Sequence, residues 1–266
     1  MFPKNQRTCD FLEPVQTSPL GTARTTSLAA EVGGVLQKTI TFGKKQKMSD
    51  SLKRVAIVGH SFVNRFEDFT VECARHADRR KAENKPTIVP SLGLDCKVHY
   101  IGVRGGGVAH QKGTVQYIAR RLTMKKFDVV VMMLGDNDVQ SCKDDLHGLA
   151  SRILAVAALF KSRARADAIY ITAMFPRYPR ADGTSGRYPV EPKYNAWAQS
   201  VNQDLKNESA QIPGVVFWQN GFSDPSEYGK RNGYIGSDGV HLTEAGQCRL
   251  YKSVRRLLTG HLGRVR

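Results

Sequence analysis

Long apolar runs are missing from this 266-residue chain. None approaches the roughly 18 apolar residues that a membrane-spanning helix requires. The charged opening Met1–Asp10 leads into no apolar core region, so a secretory signal is not expected. Paired cysteines are missing too. Cys9, Cys73, Cys96, Cys142 and Cys248 are odd in number and scattered, with no C-x-x-C pair. That argues against a disulfide framework and a zinc knuckle, and an intracellular compartment, cytoplasmic or nuclear, is expected. Acidic residues are few beside basic ones, 24 against 40, which leaves a net charge of +16. Such an excess favours non-specific contact with nucleic acid or an anionic membrane surface, or it simply keeps a solvated surface soluble. The charge is spread along the chain, densest in Gly43–Lys47 and Arg249–Arg266.

What is present divides the chain. Residues 1–50 show no sustained periodicity and are rich in Ser, Thr, Gly, Gln and Lys, and Thr17–Ala23 reads as loop. A disordered basic leader is expected there, followed by one domain over 51–262 and a basic tail over 263–266. From Arg54 the pattern changes. Val55-Ala56-Ile57-Val58 is a continuous apolar run, as expected for a strand buried on both faces. Asp95–Val103, Asp128–Gly135, Ala168–Met174 and Val215–Trp218 supply four more strands. Apolar residues at three- and four-residue spacing predict helices over Gln111–Met124, Asp144–Ser162, Tyr194–Ser209 and Thr243–Leu258, with Thr243 and Glu244 near the start of the last as its cap. Strands alternating with helices imply a mainly parallel α/β sheet covered on both faces, with the active site at the carboxyl ends of the strands.

Unusual polar residues fall at those ends. Ser61 follows Gly59-His60, Gly105 and Gly106 follow the second strand, Asn137 lies in Gly135-Asp136-Asn137-Asp138, and His241 closes Asp238-Gly239-Val240-His241. Acyl transfer requires a nucleophile, a base, an acid that orients the base, and donors aimed at the developing oxyanion. Ser61, His241 and Asp238 are the types for the first three roles. The Ser61 and Gly105 (or Gly106) N–H groups and the Asn137 amide are the types for the fourth. Taken singly, each has a blander reading: a serine capping a helix, glycines in a turn, an asparagine capping a loop.

Together, Gly59-His60-Ser61, Gly105 or Gly106, Gly135-x-Asn137-Asp138 and Asp238-x-x-His241 resemble the signature blocks of the SGNH (GDSL-type) hydrolases, over roughly Val55–Leu258. The resemblance implies a three-layer α/β/α flavodoxin-like sandwich with five parallel strands in order 2-1-3-4-5. It also implies ester hydrolysis without metal or cofactor, through Ser61, Asp238 and His241, with Ser61, a glycine of the second block and Asn137 as oxyanion donors. One position departs from the pattern: the family's first block usually reads Gly-Asp-Ser, and His60 replaces that largely structural aspartate.

Arg104–Gly107 lacks phosphate-loop spacing, so nucleotide binding is not expected, and His99, His110 and His147 show no metal-ligand spacing. Phe175–Arg180, running on to Tyr188-Pro189, is a Pro/Tyr/Arg loop placed to border a substrate pocket or to serve as an exposed linker. Two functions are expected from the whole: a serine esterase for a small ester, or a catalytically weak or inactive domain on the same scaffold that serves as a basic, nucleic-acid-associated binding module of the mobile-element type. Transfer of the acyl group to an alcohol would use the same residues as hydrolysis.

Overall fold

The computed structural model describes residues 52–109, 112–179, 190, 192–222 and 233–263. The expected leader, His110, Gln111 and residues 264–266 of the tail lie outside them, as does the Pro/Tyr/Arg loop beyond Pro179. Along the chain run β1 (Lys53–Gly59), α1 (Ser61–Arg75), α2 (Ala77–Ala82), β2 (Cys96–Gly102), α3 (Lys112–Thr123) and β3 (Val129–Met133). They are followed by α4 (Leu146–Ala164), β4 (Ala168–Thr172), α5 (Tyr194–Ser209), β5 (Val215–Trp218) and α6 (Glu244–Leu262). The strands form one parallel sheet in the order β2-β1-β3-β4-β5.

The two-residue period of a strand divides the apolar runs between two cores. Ala56, Val58, Val130, Met132, Ile169 and Ile171 face a core built with α3, α4 and α5. Val55, Ile57, Val129, Val131 and Met133 face the opposite core, built with α1 and α6. Both sheet faces are therefore covered, which is why these strands read as unbroken apolar stretches. Burying a Val, Leu, Ile or Phe side chain contributes about 1.5–3 kcal/mol against the entropy of ordering the chain, so the doubly covered strands anchor the fold.

Caps set the helix starts. Asp145 accepts from the Gly148 N–H (2.9 Å) at the head of α4, and Thr243 accepts from Gly246 (3.2 Å) at the head of α6. Helices α1 and α2 are additional to those expected from sequence. The signal for α1 is nevertheless there, as Phe62, Phe66, Phe69 and Cys73 at spacings of four, three and four. It follows the glycine that ends β1 with a single residue between. Register then fixes the site: Gly59 pairs with Gly102 of β2 and with Met133 of β3, so three strands end level.

Candidate active site

Gly59 ends β1 against β3, and a Cβ there would overlap the Met133 carbonyl oxygen. His60 turns the chain, donating its N–H to that same carbonyl (3.2 Å), and its ring faces the first turn of α1. Ser61 therefore sits at the amino end of a 15-residue helix, where unpaired N–H groups create a partial positive charge. Its Oγ lies 3.3 Å from His241 Nε2 across 180 residues of sequence. On the far side of the imidazole, Nδ1 lies 2.6 Å from Asp238 Oδ2. Asp238 Oδ1 also accepts the backbone N–H groups of Val240 (3.0 Å) and His241 (2.9 Å). The three residues form one chain of hydrogen bonds, with Asp238 fixing the imidazole so that Nδ1 carries the proton and Nε2 faces Ser61.

The turn is built for this. Gly239 has φ +73°, and a Cβ on it would overlap the Tyr178 carbonyl, while the Tyr178 N–H donates to the Gly239 carbonyl (2.8 Å). The segment after β4 thus braces the turn before α6. Charges follow from burial and partners. Burial pushes the Asp238 carboxyl up, but its hydrogen bonds to His241 and the two backbone N–H groups outweigh that and hold it below the ordinary carboxylate range. Burial lowers the His241 pKa below the usual 6.5, the Asp238 bond opposes it, and the Arg65 charge adds to the lowering. The imidazole is therefore neutral at pH 7 and able to take a proton.

Every polar residue of Gly135-Asp136-Asn137-Asp138 is committed to a long-range contact. Asp136 is wholly buried; its Oδ2 lies 2.9 Å from His60 Nε2, also wholly buried, and its Oδ1 accepts the Phe175 N–H (2.6 Å). Burial raises the Asp136 pKa, yet the His60 bond, the charges of His60 and Arg177 and the Phe175 N–H bring it below the ordinary value. His60 Nδ1 meanwhile accepts the Phe62 N–H over a long 3.5 Å. Asn137 Nδ2 donates to the Gly106 carbonyl (2.9 Å), and its Oδ1 accepts from Arg177 (2.8 Å). Asp138 accepts the N–H groups of Val108 (2.7 Å) and Ala109 (3.0 Å), tethering the loop after β2. Gly107 leaves room for that carboxylate, since a Cβ would come within 2.5 Å of it.

The structure thus brings Ser61, Asp238 and His241 together, and ties Asn137 to the glycine loop. The Gly106 N–H is engaged with the Val103 carbonyl (3.0 Å), whereas Gly105 adopts φ +70° at the tip of that loop. Sequence reasoning assigned no role to Asp136, Asp138, Arg177, Tyr194 or Asn195. Their signal was weak because each acts through a partner distant in sequence. His147 Nδ1 lies 3.5 Å from a carboxylate oxygen of both Asp204 and Glu208 on the flank of α4 and α5, the ligand atoms of the three lying within 4.8 Å of one another. No described helix is long and apolar enough to cross a membrane.

Structural comparison places the same architecture in proteins of low sequence similarity. A Streptococcus pneumonia protein, provisionally named a platelet activating factor, superposes with TM-score 0.54 at 16% identity, over 80% of this chain and 86% of that one. A GDSL-like lipase from Bacteroides thetaiotaomicron gives 0.50 at 16%, over 79% and 89%. A family 3 carbohydrate esterase from Talaromyces cellulolyticus gives 0.50 at 16%, over 80% and 100%. No curated protein sequence matches the chain. The profile of the GDSL-like lipase/acylhydrolase family matches residues 57–254, which hold Ser61, Asn137, Asp238 and His241. The chain therefore belongs to the GDSL-like lipase/acylhydrolase family and is a hydrolase of ester bonds.

Proposed function

We propose that Ser61, His241 and Asp238 form the catalytic triad of a serine esterase acting on a small carboxylic ester. The observation that carries this reading is the hydrogen-bond chain from Ser61 Oγ through the imidazole to Asp238, 3.3 Å and 2.6 Å. In the acylation step Oγ bonds to the ester carbonyl carbon while its proton passes to His241 Nε2. The carbonyl oxygen becomes an oxyanion that receives hydrogen bonds from the Ser61 and Gly105 N–H groups and the Asn137 amide. Gly105 is preferred over Gly106 because the Gly106 N–H already serves Val103. Collapse of the intermediate breaks the bond to the alcohol oxygen, which leaves with the proton from Nε2. Water then attacks the acyl-serine by the reverse proton path, returning Ser61 and releasing the acid; an alcohol in place of that water would make the reaction a transfer. A short acyl group is the proposed class, and the carbohydrate esterase among the similar structures is an esterase by name.

A fluorophosphonate probe should label the native protein, and Ser61→Ala should abolish both labelling and turnover of short-chain esters. Labelling that persists in Ser61→Ala sinks the assignment.

A second reading, binding of nucleic acid, is favoured by one surface. Four exposed cations, Arg54, Lys97, Arg121 and Lys125, act together on His99 of the edge strand β2, whose pKa is lowered first by burial and then by those charges. A polyanion laid over the surface around His99 would neutralise several of them at once. In this reading catalysis at Ser61 is secondary or lost.

A further inference from the structure

The oxyanion donor proposed above has a cation behind it. Asn137 offers two N–H groups and one carbonyl oxygen, and the chemistry of its neighbours fixes which faces which. Arginine can only donate, so the atom 2.8 Å from Arg177 Nη2 must be the amide oxygen. The Gly106 carbonyl can only accept, so the atom 2.9 Å from it must be the amide nitrogen. One N–H is spent on Gly106, and the other remains for a substrate oxygen.

Arg177 is itself held rigidly. Its backbone N–H donates to Asn195 Oδ1 (2.9 Å) and its carbonyl accepts from Asn195 Nδ2 (2.8 Å), a reciprocal pair that pins the segment after β4 to the start of α5. The guanidinium lies 4.8 Å over the ring of Tyr194, which is fully buried and donates its hydroxyl to the Asp136 carbonyl (3.1 Å). A positive charge so placed on the amide oxygen draws electron density from nitrogen to oxygen. The remaining N–H becomes a stronger donor, and between two half-buried side chains such polarisation along a hydrogen-bond chain is screened less than in open water.

We propose that Arg177 is a positioning residue that locks the orientation of the Asn137 amide and polarises its free N–H toward the transition-state oxyanion. This rests on the reading of Asn137 as an oxyanion donor. An oxyanion carries more charge than the ground-state carbonyl, so the benefit falls on kcat and leaves KM nearly unchanged.

A double-mutant cycle tests it. Arg177→Met should lower kcat roughly ten-fold, below the ~10²–10³ typical of deleting an oxyanion donor outright. Its KM should stay within about two-fold of the native value. Arg177→Lys, which keeps the charge and a donor, should recover most of the rate. In an Asn137→Ala background, Arg177→Met should cause no further loss, because the group it acts through is gone. An equal loss in both backgrounds, or no loss in the native background, overturns the proposal. If circular dichroism shows Arg177→Met unfolded, Arg177→Gln takes its place in the cycle and is judged by the same two outcomes, since it removes the charge but keeps a donor. Ser61→Ala, assayed alongside, separates the two claims. Turnover surviving in that variant overturns the esterase site, whereas an additive cycle with an inactive Ser61→Ala overturns only the role of Arg177.

Discussion

His60 stands where the resemblance places an aspartate before the nucleophile, and its ring is completely buried against an equally buried Asp136. The carboxylate expected at the end of β1 is thus supplied from the end of β3, with imidazole as its partner. Two buried groups of this kind are tolerated only as a pair. Restoring the family residue by His60→Asp should therefore not be conservative. It would set two carboxylates against each other in a fully buried site, even though an aspartate could still cap the Phe62 N–H. We expect a loss of about 3–5 kcal/mol in urea unfolding, the range for breaking a buried pair. Adding Asp136→Asn, whose amide can donate to the new carboxylate while its oxygen keeps the Phe175 N–H, should return part of it. A native-like midpoint for His60→Asp alone would show that the pair is unimportant. The position was legible in sequence as a departure, but its partner was not, because 76 residues separate the two.

Elements decide what these residues can do. The strand runs and four of the helices are readable from periodicity, and α1 carries the same periodic signal although it follows β1 almost without a loop. The turn Asp238–His241 is the most legible part of the site, since a carboxylate three residues before a histidine reaches it within one turn. Its electrostatics have a pH consequence. The folded pKa of His241 lies below 6.5, chiefly through burial. The kcat/KM profile should therefore rise with pH on an acidic limb whose midpoint is below that value. Linkage has the matching sign: the unfolded chain binds the proton more readily, so this group's contribution to stability is complete above pH 6.5 and is lost as pH falls toward the folded pKa. Asp238→Asn removes the partner that raises the pKa, so the limb should move further toward acid, with turnover down about 10⁴-fold as for a triad histidine in the wrong tautomer. An acidic limb unmoved by Asp238→Asn would assign the titration to another group.

At the scale of the whole molecule, the sheet assembles charge as well as chemistry. Arg54 and Lys97 are neighbours only because β1 and β2 pair in register, and Arg121 and Lys125 join them from α3 and the segment that follows it. If this surface binds nucleic acid, affinity should fall with salt by about 0.9 logarithmic units per tenfold rise for each phosphate contacted. Replacing Arg121 and Lys125 by alanine should flatten that slope by roughly two units while leaving ester turnover unchanged. Absence of binding at low salt, or an unaltered slope, removes the second reading.

The amino-acid sequence by itself determined the alternation of strands and helices, the burial of both sheet faces and the positions of Ser61, the glycine loop, Asn137 and the Asp238–His241 turn. These depend on local periodicity and on a topology in which parallel strands must end at one edge. Only the tertiary structure decided that Asp136 serves His60, that Arg177 backs Asn137, that the Gly106 N–H is already spent on Val103, and that four dispersed cations gather around His99. Those pairings span long stretches of chain, apart from the Gly106 turn, and follow from strand register and loop path. Local spacing constrains neighbours within a turn or two, and it places no limit on which side chains meet across a sheet.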